Sequence, residues 1–430
     1  MSMCIVAKEI FLRLPLFLKR MVVRMREQLG KRKALKQLRL EKKDVSYVST
    51  PHGGKKNILF YHISGLSFGG TEKNLQILAR HLNKERYNVY FMYSPKPRGS
   101  SGGIRLDGRA EYVKSGDVEL IEFDYASMDS LYPYVVHGMC PSVFEVLREK
   151  NIDLLVTAGS GYNEFPFNLI NAIPIILINI FASPLVQKNV AKSICISQEV
   201  KKRVSQYVGE KGLEVMYIPT EGPLSDSFKR GIGLRSSLGL SDNDIVFGRI
   251  GRADDGIFDP IGIRAFQKIV QTYPQAHYLI MSPPPILRKI VEDERIPHVH
   301  FLDPSFREED VWAFYAAIDV LAHFRADGES FGLNIAEAML SKKPVITHRS
   351  RLWNAHLEYL DNSFSRVAGI DDADAYASFM EEFVSLKKEG KLAAMGDSAY
   401  QKGAPLFLIQ NNIGTFEQWI DSAFSDIPEI

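Results

Sequence analysis

Residues 324–348 read FRADGESFGLNIAEAMLSKKPVITH. The apolar run IDVLAHF (318–324) leads into this stretch and PVITH (344–348) closes it, so the order is strand, polar turn, helix, strand. Ser330 is the expected N-cap, with Gly332 in the first turn of a helix over about 331–341. Projected at about 100° per residue, Leu333, Ala336 and Leu340 share one face while Ile335 and Met339 lie on another. A helix apolar nearly all round is a buried helix. Glu337 nevertheless falls within about 40° of Leu333, with Asn334 one turn earlier on the same side. A carboxylate placed there needs a partner, because an unpaired buried charge is very costly.

Glu329 precedes the helix, and Glu337 follows it by roughly 12 Å at 1.5 Å per residue. Between them the free N–H groups of residues 330–333 would form an anion site backed by the helix dipole. Carboxylate, anion site, carboxylate matches a nucleotide sugar, with sugar hydroxyls at one end, diphosphate in the middle and ribose hydroxyls at the other. The competing reading is a buried structural helix whose Glu337 pairs with an internal Arg or Lys.

Outward from this stretch the chain keeps a βα rhythm. NILFYHI (57–63) is an expected buried strand, after which Leu75, Leu78, Ala79 and Leu82 fall at helical spacing. YNVYFMY (87–93), VELIEF (118–123), IDLLVTA from Ile152, PIILINI (174–180), SICIS (193–197) and LEVMYI (213–218) are further strands. Segment 94–117, rich in Ser, Gly, Lys and Arg, reads as a long mobile loop. PTEGP (219–223) reads as a linker, and the rhythm restarts with DIVFGRI (244–250), AHYLIM (276–281) and HVHFL (298–302). Helical stretches near 260–273, 285–294 and 305–316 separate these strands, and residues 371–430 read as helical. Two such runs predict two doubly wound parallel-sheet domains, which bind ligands beyond the carboxyl ends of their strands. The loops after Ile63, Ile250, Met281 and Phe324 are therefore where chemistry is expected.

A chain of 430 residues with 45% hydrophobic and 24% charged residues has the composition of a globular protein, which excludes disordered and collagen-like classes. Cys4, Cys140 and Cys195 are odd in number and lack CxxC spacing, so a reducing, cytoplasmic setting is expected. Residues 1–50 hold thirteen Lys or Arg against Glu9, Glu27, Glu41 and Asp44, a net +9. The whole chain carries only +2, which leaves −7 for the remainder and speaks against nucleic acid as a partner. IFLRLPLFL (10–18) is too short to span a bilayer, which takes roughly 20 apolar residues, and no small-residue cleavage site follows it. Two readings of residues 1–50 stand side by side, an interfacial anchor for an anionic membrane surface and a basic tail.

The stretch DGESFGLNIAEAMLSKKPVIT resembles the Glu-x7-Glu signature of retaining GT-B glycosyltransferases, glycosyltransferase family 4 (group 1) in particular. SFGGTEKNLQILARHL (67–82) is similar to that family's Gly-Gly-x-Glu loop and first helix, and SICISQEVKKRV (193–204) to the strand and helix ending its first domain. IPTEGP (218–223) stands where the family has its linker, and GRIGR (248–252) where it has the Gly-Arg turn. The likeness covers roughly residues 55–400. It implies a GT-B fold, α/β, with two Rossmann-like domains facing a central cleft. The expected order is a basic amphipathic segment 1–54, an acceptor-side domain 55–222, a nucleotide-sugar domain 223–405, and a helix 406–430 crossing back to the first domain.

Residue by residue, the resemblance implies that Glu337 binds ribose hydroxyls and Glu329 lies beside the transferred sugar. Ser330, Phe331, Gly332 and Leu333 would offer backbone donors, Gly69 and Gly70 would approach the diphosphate, and Arg252 would stabilise it as it leaves. The implied reaction moves a sugar from a nucleotide-diphosphate sugar to a hydroxyl of a glycan or lipid-linked saccharide with retention, without metal or separate cofactor. Asp242-Asn243-Asp244 and Asp372-Ala373-Asp374 have the shape used by metal-dependent transferases, but each sits where Asp routinely caps or turns the chain. The sequence also departs from the family. GRADDGIFDP supplies Asp254 and Asp255 but no Lys after Arg252, leaving Arg249 or Arg325 as replacement cations, and HRSRLWNAH (348–356) replaces a Gly-Gly turn. The alternatives are a nucleotide-sugar epimerase of the same fold and a noncatalytic membrane-associated partner subunit.

Overall fold

The computed structural model describes residues 52–62, 66–67, 69–93, 107–122, 140–159, 170–182, 189–305 and 307–425, with scattered positions between 18 and 50. The chain divides into two units, one of residues up to Pro219 together with Asn412–Ile430, the other Thr220–Asn411. Most of the basic segment 1–50 lies outside the described residues. Among the described residues no helix is long and apolar enough to cross a membrane.

The first unit runs β1 (Lys56–Tyr61), α1 (Gly70–His81), β2 (Tyr87–Tyr93), α2 (Asp107–Lys114), β3 (Glu119–Glu122) and α3 (Cys140–Glu149). It continues with β4 (Leu154–Gly159), β5 (Ile175–Asn179), β6 (Val190–Cys195), α4 (Gln198–Val208) and β7 (Leu213–Val215). The strands lie in the order β3-β2-β1-β4-β5-β6-β7, and every pairing is parallel. Ile58, Leu59 and Phe60 are 0% exposed, as expected of a central strand covered on both faces. Residues 107–114, read from the sequence as loop, are helical, and Ala110 and Val113 bury one side of the turn. Only Ala110, Tyr112 and Val113 are hydrophobic among these eight residues, too sparse a pattern to stand out among Ser, Gly, Lys and Arg.

The second unit opens with α5 (Ser227–Ser237), β8 (Ile245–Ile250), α6 (Ile261–Ile269), β9 (Ala276–Met281), α7 (Pro285–Asp293), β10 (Val299–Leu302) and α8 (Glu308–Ala317). Then come β11 (Val320–Ala322), β12 (Gly328–Glu329), α9 (Leu333–Leu340), β13 (Val345–His348), β14 (Trp353–Asn354), β15 (Ser365–Ala368), α10 (Ala373–Lys388) and α11 (Leu392–Phe407). The last helix is α12 (Ile409–Ser425). The main sheet has the order β10-β9-β8-β11-β13-β15, again parallel throughout. In both units the winding direction reverses between two neighbouring strands, β1 and β4 in one, β8 and β11 in the other. Such switch points open a crevice at the carboxyl ends of the strands, because the loops on either side depart in opposite directions.

Two connections organise the end of the chain. Thr220 pairs with the break between α11 and α12, donating its N–H to Phe407 O (2.8 Å) and accepting from Ile409 N (2.9 Å). Beyond Asn411, α12 belongs to the first unit. Phe416 packs against Phe60, ring centroids 6.5 Å apart, and Glu417 accepts from Asn83 N (2.7 Å) and Arg86 (3.1 Å).

Candidate active site

The second unit's switch point is lined by the residues after β8 and after β11. Phe324 is buried below it, and Arg325 donates its backbone N–H to His348 Nε2 at 3.1 Å. Gly328 and Glu329 form β12, a short parallel pair with Trp353 and Asn354 of β14. HRSRLWNAH therefore builds a second platform beneath the turn. Ser350 Oγ donates to Trp353 O (2.8 Å), and Asn354 holds Ser350 through both backbone groups (2.9 and 2.8 Å). Gly328 adopts φ +68, and a Cβ on it would stand 1.9 Å from Trp353 O.

This pairing draws residues 328–329 into extended chain, so Ser330 is not the N-cap. Gly332 takes that place in the left-handed region, φ +96, and α9 begins at Leu333. The Tyr359 hydroxyl hydrogen-bonds the carbonyls of Phe331 (2.5 Å) and Gly332 (3.3 Å) and fixes the entry. Phe331 itself is buried in an aromatic cluster with Tyr359 and Phe407, centroids 5.0–5.8 Å apart. The N–H groups of Leu333 and Asn334, in the first turn, have no acceptor within the helix. Asn334 ties this turn to the end of β8, donating to Ile250 O at 3.1 Å and accepting from Ile335 N at 3.0 Å.

The two glutamates have unlike surroundings. Glu329 accepts from His323 Nε2 at 3.1 Å and lies 3.6 Å from Arg325 Nη1. Burial pushes its pKa up, but the Arg325 charge and the His323 bond outweigh burial and hold it at about 2. Glu329 is therefore a carboxylate at any physiological pH. Glu337 is 5% exposed and accepts from the Tyr315 hydroxyl at 2.9 Å. Burial and that carboxylate push the Tyr315 pKa well up, so the phenol stays a donor.

The arginines sort themselves by partner. Arg325 grips Asp327 with two nitrogens, 2.6 and 3.1 Å. Arg249, at the end of β8, is 3% exposed, makes one long bond to Ser282 O (3.4 Å) and lies over the Phe324 ring at 5.1 Å. Burial lowers its pKa to about 10. Arg252 is exposed and has no partner among the described residues. Asp254 is occupied locally, accepting from Gly256 N at 2.9 Å, and Asp255 accepts from Ile286 N at 3.0 Å.

At the first unit's switch point Gly69 is the N-cap of α1 and Gly70 its first residue. A Cβ on Gly69 would stand 2.1 Å from Glu72 Oε2, so the glycine makes room for a carboxylate folded back over the helix start. Among the described residues no group of three His, Cys, Asp or Glu side chains could hold a metal ion. Asp244 and Asp372 make local hydrogen bonds, to Ser241 N (2.7 Å) and Ala375 N (2.9 Å).

Residues 245–386 match the family model described as glycosyl transferases group 1. Solved structures resemble nearly the whole chain. Anabaena Alr3699/HepE in complex with UDP and glucose aligns with TM-score 0.64 at 19% identity, over 86% of this chain and 99% of that one. A glycosyltransferase from Rickettsia africae ESF-5 gives 0.67 at 14% identity, over 86% and 99%. WaaG, a glycosyltransferase involved in lipopolysaccharide biosynthesis, gives 0.56 at 12% identity, over 85% and 98%. The fold is GT-B. No curated protein matches the chain in sequence. Within this GT-B chain the family match covers the strands and helices from β8 into α10, and with them Glu329, Glu337 and the three arginines.

His323 and Tyr315 hydrogen-bond the two carboxylates, with Thr347 behind His323, and none of the three is a site residue on the sequence alone. His323 carries a usable signal, since it stands at the carboxyl end of β11, which flanks the switch point; Thr347 stands one strand further on, in β13. Tyr315 has none, because its approach to Glu337 depends on how α8 packs beside α9.

Proposed function

We propose that the protein is a glycosyltransferase that moves a sugar from a nucleotide-diphosphate sugar to a hydroxyl acceptor with retention at the anomeric carbon, without a metal. The observation that carries this reading is an ionised Glu329 at the head of α9, next to unspent N–H groups, with Glu337 buried further along the same helix. The group 1 match over the same residues supports it, as does the structure of HepE in complex with UDP and glucose. Breaking the sugar–phosphate bond builds positive charge on the ring and negative charge on the departing diphosphate. In this reading Glu329 lies beside the sugar, while the α9 N-terminus and Arg252 face the diphosphate as preorganised electrostatic stabilisation. Ser330, Phe331, Gly332 and Leu333 contribute backbone donors, Glu337 takes the ribose hydroxyls, and Gly69 and Gly70 belong to the same proposal.

The test is thermal stabilisation by UDP-glucose, UDP-N-acetylglucosamine and GDP-mannose in EDTA, followed by donor turnover in the same buffer. Glu337→Ala should weaken donor binding by roughly 1.5–3 kcal/mol, the worth of hydrogen bonds to a charged group. Unchanged affinity in a folded variant refutes the ribose role. Binding without turnover favours the noncatalytic reading, for which the loop after Arg252 speaks, with Asp254 and Asp255 where the family has Lys.

The acceptor is proposed to be a glycan or lipid-linked saccharide, worked on at an anionic membrane surface. Met21, Met25 and Leu29 recur every four residues and are 50%, 56% and 51% exposed, among the cations of segment 1–50. Each Lys or Arg near such a surface contributes on the order of 1 kcal/mol, screened as salt rises. The full-length protein should sediment with anionic vesicles at low salt, whereas a chain beginning at Val45 should remain in solution and still bind donor. Full-length protein that ignores such vesicles ends the membrane part alone.

A further inference from the structure

Glu329 is gripped from behind by one imidazole. His323, the first residue beyond β11, is 3% exposed, with Nε2 3.1 Å from Glu329 Oε1 and Nδ1 3.0 Å from Thr347 Oγ1. The two nitrogens thus span from β13 to β12. Its carbonyl accepts from the Tyr376 hydroxyl at 3.0 Å, so the backbone is tied as well. Thr347 is 0% exposed, on a strand whose position the sheet sets. A carboxylate can only accept, so Nε2 must carry a proton. In the neutral ring Nδ1 is then an acceptor, and the Thr347 hydroxyl donates to it. On the other side of Glu329, Oε2 stands 3.6 Å from Arg325, beyond hydrogen-bond distance.

We propose that His323, its ring held in place by Thr347 and its Nε2–H fixed by the acceptor it faces, is the positioning residue for Glu329, fixing one carboxylate oxygen and leaving the other for a hydroxyl of the donor sugar. The consequence for turnover rests on the glycosyl-transfer reading; the tautomer does not. The arrangement sets the direction of the carboxylate. Arg325 alone would hold the charge but not the angle, since its two-nitrogen grip is on Asp327. The other charged or titratable groups facing Glu329 are Arg249 and His356, whose ring lies 5.9 Å from that of His323. His348 lies behind, engaged by Arg325 N and Arg349 O.

Two measurements on the full-length protein test this. The first needs no ligand. With 15N-histidine labelling, the His323 resonance, identified by its loss in His323→Gln, should show the Nε2–H tautomer, and Glu329→Leu, which removes the acceptor, should convert it to a mixture. An Nδ1–H tautomer in the wild type, or no change in Glu329→Leu, overturns the proposal. The second reads turnover of UDP-glucose, UDP-N-acetylglucosamine and GDP-mannose. His323→Leu should lower kcat roughly 10- to 100-fold, the range for one hydrogen bond to a charged group, with KM changed far less. His323→Gln, whose amide N–H can take the place of Nε2–H, should recover most of the loss. Without its donor Glu329 should also protonate more readily, so the acid limb of kcat should move to higher pH in the Leu variant and back in the Gln variant. Equal kcat in the Leu variant and the wild type, or equal losses in Leu and Gln, overturns the positioning role. If the wild type turns over none of the three donors while the tautomer result stands, the glycosyl-transfer reading fails and the His323–Glu329 geometry remains.

Discussion

Glu329→Gln should fold normally and lose about 100-fold or more in donor turnover, with donor affinity reduced far less. The substitution keeps the shape and an oxygen for His323 to donate to, but removes the charge. Folding should survive because Arg325 keeps its paired contacts to Asp327, so no buried cation is left alone. Turnover should not, because a neutral amide cannot offset charge developing on the sugar ring. The variant also separates a pH effect. In the wild type the pKa of Glu329 is lowered from 4.5 to about 2, so its contribution to stability is complete above pH 4.5 and is lost as pH falls towards 2. The Gln variant should lack that component of acid destabilisation, read from denaturation midpoints at pH 3 and pH 7. Equal falls in kcat and affinity would argue against a place for Glu329 beside the reacting sugar.

Gly328→Ala should be the most damaging single-methyl change in the second unit. The position has φ +68, and the new Cβ would meet Trp353 O at 1.9 Å and Ser350 Oγ at 2.1 Å. Left-handed strain costs roughly 1–2 kcal/mol for a residue with a Cβ, and the overlap with a backbone carbonyl adds a further 1–3 kcal/mol. Gly239→Ala is the natural control, since that glycine has φ +70 and nothing within 4 Å of the added methyl. The control should lower the thermal midpoint slightly and leave donor turnover intact. Gly328→Ala should lower it several degrees further and reduce turnover as well, because relieving the clash means parting β12 from β14 and moving Glu329. Similar midpoints for the two variants would show that the platform yields easily and does not hold the carboxylate.

Much of this architecture is local and therefore readable in the residues themselves. A central parallel strand is covered on both faces, so it appears as an unbroken apolar run, as at 58–61 and 245–248. Helical periodicity, with Gly and Pro as punctuation, marks the crossovers, and their alternation with strands limits the chain to doubly wound sheets. The eight-residue interval between Glu329 and Glu337 is likewise a property of one short segment. Residues far apart in sequence decide the rest. Where α9 starts is set by β14, reaching back from Trp353 and Asn354, and by the Tyr359 hydroxyl on the carbonyls of Phe331 and Gly332. Capping preference at Ser330 is worth about 1 kcal/mol, and several such distant bonds outweigh it. The sorting of Arg249, Arg252 and Arg325 into buried, exposed and paired follows from where each side chain meets Phe324, solvent or Asp327. The hold of His323 and Thr347 on Glu329 exists only once β11, β12 and β13 are side by side, because a hydrogen bond acts over 3 Å of space whatever the chain distance between its partners.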